Sequence, residues 1–587
     1  MTEFNTQRVE TARTSIAVRI GWAVLILATL YVCYFSHLGA IGFVGPDEPR
    51  YAWIARDMAE TGDWVTPRLY GKPWFEKPPL FYWGAAACFK LFGVSEAAAR
   101  LSSAISALLA TLALAWLALR LYGAETARWL LLLLPTTVGM IGFSHAAATD
   151  MPFSAMLTMA MVCAAVVLGL TRSENTPILP RTPWLALILF GFFLGLAVLA
   201  KGPAALILSG GAVFSWALFT RCWRDAFRVL HPAAIASFCL TALPWYILCA
   251  RRNSDFFRIF IIEHNFKRFL TPEFQHIQPF WYYGPILVAA FLPWTLGFLA
   301  WFSKDRTASE KSDFKLRPSV FFLSFGLFPS FFFTLSQSKL PGYILPAVAP
   351  LACLLVSRVT TVLSESRREK QPMLFLLAIT SLCLAIGVER YAAHRILGED
   401  ILPAPWTGAV WFPLLLSGVV ALLFAGLRRN VMSICVLQIG VLLAILGLSR
   451  GLVWMDPQLS ARGVIKVAYT QLQSLPADKL FVHDLTGGIQ YGLNFYLRRD
   501  IPLWNPQSKA PGLVFTSWKG QQELKAAGFS CKQHIVYPAA ILCEAKGDDS
   551  SGQRSRPGAA SLRRTTPRGF HTCASPRRSS SQNCHAG

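Results

Sequence analysis

Charge is scarce in this chain. Only 15% of its 587 residues are Asp, Glu, Lys or Arg, against roughly a quarter in a soluble globular domain. A soluble chain of this length would divide into about four domains, each needing a charged exterior, and there is too little charge to clothe them. Disorder is excluded too, because 54% of the residues are hydrophobic. Cysteine is sparse at 13, which excludes an extracellular disulfide scaffold. Acid is scarcer than base, 32 Asp+Glu against 55 Lys+Arg, a net charge of +23. That excess does not point to nucleic acid. Residues 551–587 hold seven arginines and no acid, and most other basic residues sit in short loops between apolar runs, where they orient a membrane protein.

What is abundant is apolar sequence in long runs. A bilayer-spanning helix needs about 20 predominantly apolar residues. Such runs lie at 18–36, 97–121, 125–144, 151–171, 183–200, 202–220, 232–250, 284–302, 318–335, 342–358, 372–389, 407–426 and 431–449. The expected fold class is an α-helical polytopic membrane protein with about thirteen transmembrane helices. The first run is too long for a signal-peptide core and reads as an uncleaved anchor. Lys and Arg concentrate in alternate loops: Arg221, Arg224 and Arg228; Lys304, Arg306, Lys311, Lys315 and Arg317; Arg358, Arg367, Arg368 and Lys370; Arg428 and Arg429. With a cytoplasmic N-terminus these loops are cytoplasmic. An odd number of spans then puts residues beyond 450 outside, together with the loops at 37–96 and 251–283.

Three divisions follow: a transmembrane domain over 1–450, a small periplasmic α/β domain over 451–546, and an Arg/Ser-rich tail over 547–587 that reads as disordered. The α/β expectation rests on strand-like runs at Lys479–His483, Gly512–Thr516, Gln533–Tyr537 and Ala540–Cys543. Helix-like runs at Ile489–Leu497 and Gly520–Ala527 separate them. Gly487-Gly488 lacks the rest of a phosphate-binding fingerprint and carries no weight. Most cysteines fall in spans as small apolar residues, whereas Cys531 and Cys543 could bridge neighbouring strands. Cys573, Cys584, His571 and His585 lack metal-finger spacing.

The outer loops carry the chemistry. In Gly45-Pro46-Asp47-Glu48-Pro49-Arg50-Tyr51, Pro49 is placed to start a helix. Tyr51, Ile54, Ala55 and Met58 then fall on one apolar face suited to the membrane interface. The plain structural alternative is that Asp47 and Glu48 only cap that helix. Gly71-Lys72-Pro73-Trp74-Phe75-Glu76-Lys77-Pro78-Pro79 combines a Glu-Lys pair with anchoring aromatics, and begins a second amphipathic piece. Asp150 opens a span, where an N-cap is its simplest role, and Lys201 ends another, where a snorkelling lysine is the alternative. Glu263-His264-Asn265-Phe266-Lys267-Arg268 puts His264 and Arg268 on one helical face, unless it is merely a solvated charge run. Ser338-Lys339-Leu340-Pro341-Gly342-Tyr343 is an outer turn running into a span. Together these place acids (Asp47, Glu48, Asp150) and bases (Lys77, Lys201, Lys267, Arg268) at one membrane face, a set suited to an anionic lipid headgroup whose sugar is moved.

At these motifs the chain resembles the bacterial lipid A aminoarabinose transferases, relatives of the protein O-mannosyltransferases with the GT-C architecture. The resemblance covers roughly residues 15–450 and extends loosely into the α/β region; the Arg-rich tail matches nothing in the family. It implies interfacial helices in the first outer loop and a catalytic centre containing Asp47 and Asp150. It puts Arg50, Tyr51, Lys77 and Arg268 around the carrier phosphate, with Lys201 and Tyr343 beside them and Glu48 among the substrate-binding residues. It also implies that Glu76, with His264, could hold a structural zinc, the chemistry itself requiring no cofactor.

The implied reaction is inverting transfer of a sugar from undecaprenyl phosphate to lipid A or another envelope acceptor at the periplasmic face of the inner membrane. The sugar expected is 4-amino-4-deoxy-L-arabinose, although galacturonic acid or mannose transferases could share every motif. The carrier phosphate is already a stable anion, so positioned cations suffice for its departure. A phosphate acceptor needs no strong base, whereas a hydroxyl acceptor on protein or glycan would need one carboxylate as general base. A flippase is the rival reading. Transporters hold polar residues at the midplane, usually with repeat symmetry; here ionisable residues gather at span ends and no internal repeat is found.

Overall fold

Apolar runs become helices because hydrocarbon offers no partner to backbone N–H and C=O groups, so each segment has to satisfy its own. The computed structural model describes residues 16–171, 182–267, 277–302, 313–365, 372–389, 406–473, 479–504 and 512–547. Among them, eight helices are long and apolar enough to cross a membrane: Ile16–Tyr34, Glu96–Tyr122, Asp150–Val167, Trp184–Lys201, Trp223–Arg252, Pro341–Thr361, Thr407–Gly426 and Asn430–Leu459. A ninth span forms if Ala124–Leu133 and Val138–Ser144, bent by 60°, count as one.

Each expected run meets helix, yet the expected count is not reached by this measure. Ala204–Thr220 and Pro372–Gly387 are apolar but shorter. The run at 284–302 divides into Tyr283–Ala290 and a 3₁₀ segment Thr295–Phe302 around Pro293, a residue that lacks the N–H a helix needs. The run at 318–335 lies in Asp313–Thr334, with Pro318 and Pro329 inside. Large side chains such as Leu240 and Phe219 stand 78% and 75% exposed on these helices, an outer surface that lipid can solvate and water cannot. Asp150–Val167 and Pro341–Thr361 lie at the centre, where nearly every side chain is buried.

We label the elements around the loop at 37–96 α1 (Ile16–Tyr34), α2 (Asp47–Thr61), α3 (Leu80–Phe92), α4 (Glu96–Tyr122), α5 (Ala124–Leu133), α6 (Val138–Ser144), α7 (Asp150–Val167), α8 (Trp184–Lys201) and α9 (Ala204–Thr220). Tyr51, Ile54, Ala55 and Met58 do share one face of α2, all buried. That face is not left to the membrane interface. It packs on Phe81, Tyr82, Ala85 and Phe89 of α3, on Ala98 and Ala99 of α4, and on Phe495. A two-stranded ribbon, β1 (Arg68–Leu69) against β2 (Lys72–Pro73), joins α2 to α3.

After Leu459 the chain forms a mixed four-stranded sheet. Its strands are β3 (Leu480–His483), β4 (Gly512–Thr516), β5 (Phe529–Val536) and β6 (Ile541–Gly547), in the order β3-β4-β6-β5. β3 and β4 pair in parallel, which requires a crossover; the Gly487–Leu497 helix lies in that connection. The two other pairings are antiparallel, and a disulfide joins Cys531 on β5 to Cys543 on β6. The tail beyond Gly547 lies outside the described residues.

Candidate active site at the span ends

Two ion-pair groups occupy the end of the helix bundle at which α1 and α8 finish and α2 and α7 begin. Neither aspartate caps its helix. The N-cap positions are Pro46 and Thr149, and neither end carries a side-chain cap bond. Instead the half-exposed Asp47 pairs with Arg50. The Arg50 Nη1 also lies 3.5 Å from Glu76 Oε2, and Lys77 Nζ lies 3.3 Å from Glu76 Oε1. Three aromatic rings surround the Arg50 guanidinium, those of Tyr51, Trp74 and Tyr491, with centroids 5.9, 5.8 and 5.3 Å away. Burial alone disfavours the charge on Arg50, but the Glu76 and Asp47 carboxylates push its pKa above the ordinary value.

The second group closes around Asp150. Lys201 at the end of α8 reaches back to it at 2.5 Å. The Lys201 ammonium stands 4.8 Å from the centroid of Tyr343 and 5.5 Å from that of Phe153. Gly342 packs directly against this pair, where a Cβ would meet the Asp150 carboxylate. A glycine before Tyr343 lets the 3₁₀ turn Pro341–Ile344 approach the carboxylate closely.

Glu48 and Arg100 bind the two groups into one scaffold. Arg100, on α4, donates to both Glu48 oxygens at 2.9 and 2.7 Å. Its remaining hydrogens go to the carbonyls of Leu38, Ile41 and Gly42. Glu48 also accepts from the Val44 and Ala147 amides at 2.8 and 2.7 Å. Such a saturated, buried carboxylate has no capacity left for substrate. Glu48 therefore belongs to the scaffold, a correction to its expected substrate-binding place. Phe75 and Leu199 add an apolar tie. They share a core cluster with Trp245, Phe256 and Phe260, which draws the Glu76-Lys77 loop against the helix that ends in Lys201.

Tyr51 is 2% exposed and packs between Phe81 and Tyr82 beneath Arg50. It is core rather than an open contact. Burial first, then the Glu76 and Asp47 charges, hold its hydroxyl well above the usual phenol range, so it stays protonated. His264 and Lys267 lie on a π-helical segment, Arg258–Lys267, packed through Phe260 on the same cluster as Phe75. Arg268 lies outside the described residues. Glu76 and His264 are the residues expected to hold zinc. Glu76 is flanked by two cations, and among the described residues no group of three or more His, Cys, Asp or Glu could hold a metal.

Sequence reasoning missed Arg100 and Tyr491, and read Trp74 only as an anchoring aromatic. Arg100 had a signal: a guanidinium at the start of an apolar span requires a buried counter-ion. Tyr491 had none, since nothing local ties residue 491 to residue 50. Gly487-Gly488, given no weight as a phosphate-binding fingerprint, proves to be a contact between these regions. A Cβ on Gly488 would sit 3.0 Å from the Gly45 backbone, and one on Gly487 would sit 3.3 Å from Pro46. A separate cavity of about 600 Å³, lined by Trp116, Met159, Val162, Trp184 and Phe193, is almost wholly apolar. It has no groups for phosphate or sugar.

Residues 11–260 match the family described as dolichyl-phosphate-mannose-protein mannosyltransferase. The undecaprenyl phosphate-alpha-4-amino-4-deoxy-L-arabinose arabinosyl transferase of Serratia proteamaculans is 31% identical over 418 residues, covering 70% of this chain and 71% of the relative. The protein of the same name from Edwardsiella ictaluri is 29% identical over 531 residues, covering 84% of this chain and 92% of the relative. Among solved structures, ArnT from Cupriavidus metallidurans bound to undecaprenyl phosphate superposes with a TM-score of 0.72 at 23% identity, over 89% of this chain and 98% of that one. That likeness establishes the GT-C fold of a multi-pass membrane protein. With more than two thirds of a relative matched above 30% identity, the chain belongs to the undecaprenyl phosphate-alpha-4-amino-4-deoxy-L-arabinose arabinosyl transferase family, and it is a glycosyltransferase.

Proposed function

We propose that this enzyme transfers 4-amino-4-deoxy-L-arabinose from undecaprenyl phosphate to a phosphate of lipid A on the periplasmic face of the inner membrane. The observation that carries the reading is the meeting, at one end of the helix bundle, of the Asp150–Lys201 pair and the Asp47–Arg50–Glu76–Lys77 group. Span ends are where a polyprenyl phosphate would present its headgroup.

In this scheme Lys77 holds the carrier phosphate, a role the family resemblance also gives to Arg268. Asp47, half open to solvent, pairs with the ammonium of the sugar, and Asp150, oriented by Lys201, faces the reacting carbon. An acceptor phosphate oxygen attacks the anomeric carbon from the side opposite the carrier. The bond from that carbon to the carrier oxygen breaks, and undecaprenyl phosphate leaves with the electron pair, so configuration inverts. No proton has to be removed from an anionic acceptor. Lys77 gains importance as negative charge builds on the leaving phosphate, where a charge-assisted contact tightens.

The orientation belongs to the same proposal: N-terminus cytoplasmic, site and sheet periplasmic. The Cys531–Cys543 disulfide supports it, since such bonds persist in oxidising compartments. The deciding experiment supplies radiolabelled donor and lipid A to the purified enzyme and follows lipid A by mass spectrometry. Addition of one aminoarabinose per modified phosphate is expected. Label moved to the other leaflet without cleavage of the sugar–phosphate bond would make the protein a flippase, and an unmodified lipid A would remove the favoured acceptor.

A further inference from the structure

We infer that Tyr491, on the Gly487–Leu497 helix, is a positioning residue for the transfer reaction, holding Arg50 against Asp47 and Glu76; the inference rests on the function proposed above. Of the three rings around the Arg50 guanidinium, that of Tyr491 is nearest, at 5.3 Å. The other two belong to the first outer loop, whereas Tyr491 comes from the region of the sheet. A guanidinium is weakly hydrated and stacks readily on aromatic faces. Tyr491 therefore closes the wall through which Arg50 would otherwise swing away from the two carboxylates.

The helix that carries Tyr491 is firmly anchored. The Asn494 side-chain amide donates to the Tyr70 hydroxyl at 2.9 Å, and the Tyr496 hydroxyl donates to Glu96 at 2.7 Å. Arg56 donates to the Phe495 carbonyl at 3.2 Å. Behind it, Arg462 is fixed by Asp456 at 2.7 Å and donates to the carbonyls of Gly39 and Ala40 at 2.9 and 2.8 Å. With Arg100 on Leu38, Ile41 and Gly42, two arginines thus hold five successive carbonyls of the segment leading to Asp47. The sheet region is in this way part of the apparatus that sets Asp47 and Arg50.

The test uses the full chain in proteoliposomes, with Tyr491→Phe keeping the π face and Tyr491→Leu keeping apolar bulk without it. Transfer is measured against donor concentration, and hydrogen exchange is measured at residues 44–50, which needs no substrate. Tyr491→Leu should lower kcat about three- to tenfold, with KM and melting temperature little changed and faster exchange at 44–50. Tyr491→Phe should recover most of the rate and the slow exchange. Equal losses in both variants would assign the effect to the hydroxyl and overturn the inference. So would wild-type kinetics and exchange in Tyr491→Leu, or a rate loss that only follows a fall in melting temperature. If the wild-type enzyme fails to transfer aminoarabinose, the proposed function falls, while the exchange measurement still decides the coupling of Tyr491 to residues 44–50.

Discussion

The Glu48 carboxylate accepts a 2.7 Å hydrogen bond from the Ala147 amide. One end of this bond is adjacent to Asp47 and the other is three residues before Asp150, so it ties together the segments that carry both aspartates. Arg100 neutralises the same carboxylate and leaves it no free capacity. Neighbouring acids, Asp47 and Glu48, thus have opposite duties.

Glu48→Gln should destabilise the protein, because it leaves Arg100 buried without its counter-charge. Breaking one partner out of a buried pair costs about 3–5 kcal/mol. Asp47→Asn, at a half-exposed side chain, should change stability by no more than about 0.5 kcal/mol. Melting curves in detergent compare them. Indistinguishable curves would remove Glu48 from the scaffold.

Asp47→Asn and Asp150→Asn should each lower transfer by about a hundredfold or more, with expression near wild type. Asn keeps the size and removes only the charge that Arg50 and Lys201 address. Initial rates with labelled donor measure it. Full activity in both variants would return these aspartates to a passive place at their helix starts.

Lys77→Ala should weaken use of the donor by about ten- to a hundredfold, the worth of a charge-assisted contact to phosphate of about 1.5–3 kcal/mol. Lys77→Arg should restore activity only in part, since a planar fork does not reproduce a compact point charge. Lys72→Ala is the control, because Lys72 lies exposed on β2. Small, equal effects at both lysines would make Lys77 an interfacial anchor and misplace the donor site.

Asp57→Asn gives a pH-dependent prediction. Burial, opposed by Arg68 and reinforced by Asp63 and Glu60, raises the Asp57 pKa. The folded state therefore binds this proton more tightly than the unfolded state does. Stability falls as pH rises from the unfolded value, about 3.9, through the raised folded one. Asp57→Asn should melt higher than wild type at pH 7 and lose that advantage below about pH 4. An advantage of equal size at both pH values would mean that charge is not its cause.

What was legible in the sequence is what depends on local periodicity and on bilayer thickness. Apolar runs met helices, the Tyr51–Ile54–Ala55–Met58 face was buried, and the strand-like runs near 480, 512, 533 and 540 became strands. Each is encoded within a few consecutive residues. Kinked or short spans were misjudged because hydropathy measures composition and not the backbone breaks at Pro293 or between Leu133 and Val138.

The sequence by itself also determined the chemical inventory at the span ends, acids and bases beside aromatics, because charge in so apolar a chain gathers where water, headgroups or an opposite charge meets it. Partner choice was decided by tertiary structure alone. Glu48 meets Arg100 across 52 residues and Asp150 meets Lys201 across 51. Arg50 meets Tyr491 only because the sheet region folds back onto the loop that follows α1. A carboxylate in sequence is equally fit to cap a helix, neutralise an arginine or hold a substrate. Which of these it does depends on the groups that distant helices bring within hydrogen-bond reach, and that is a property of packing.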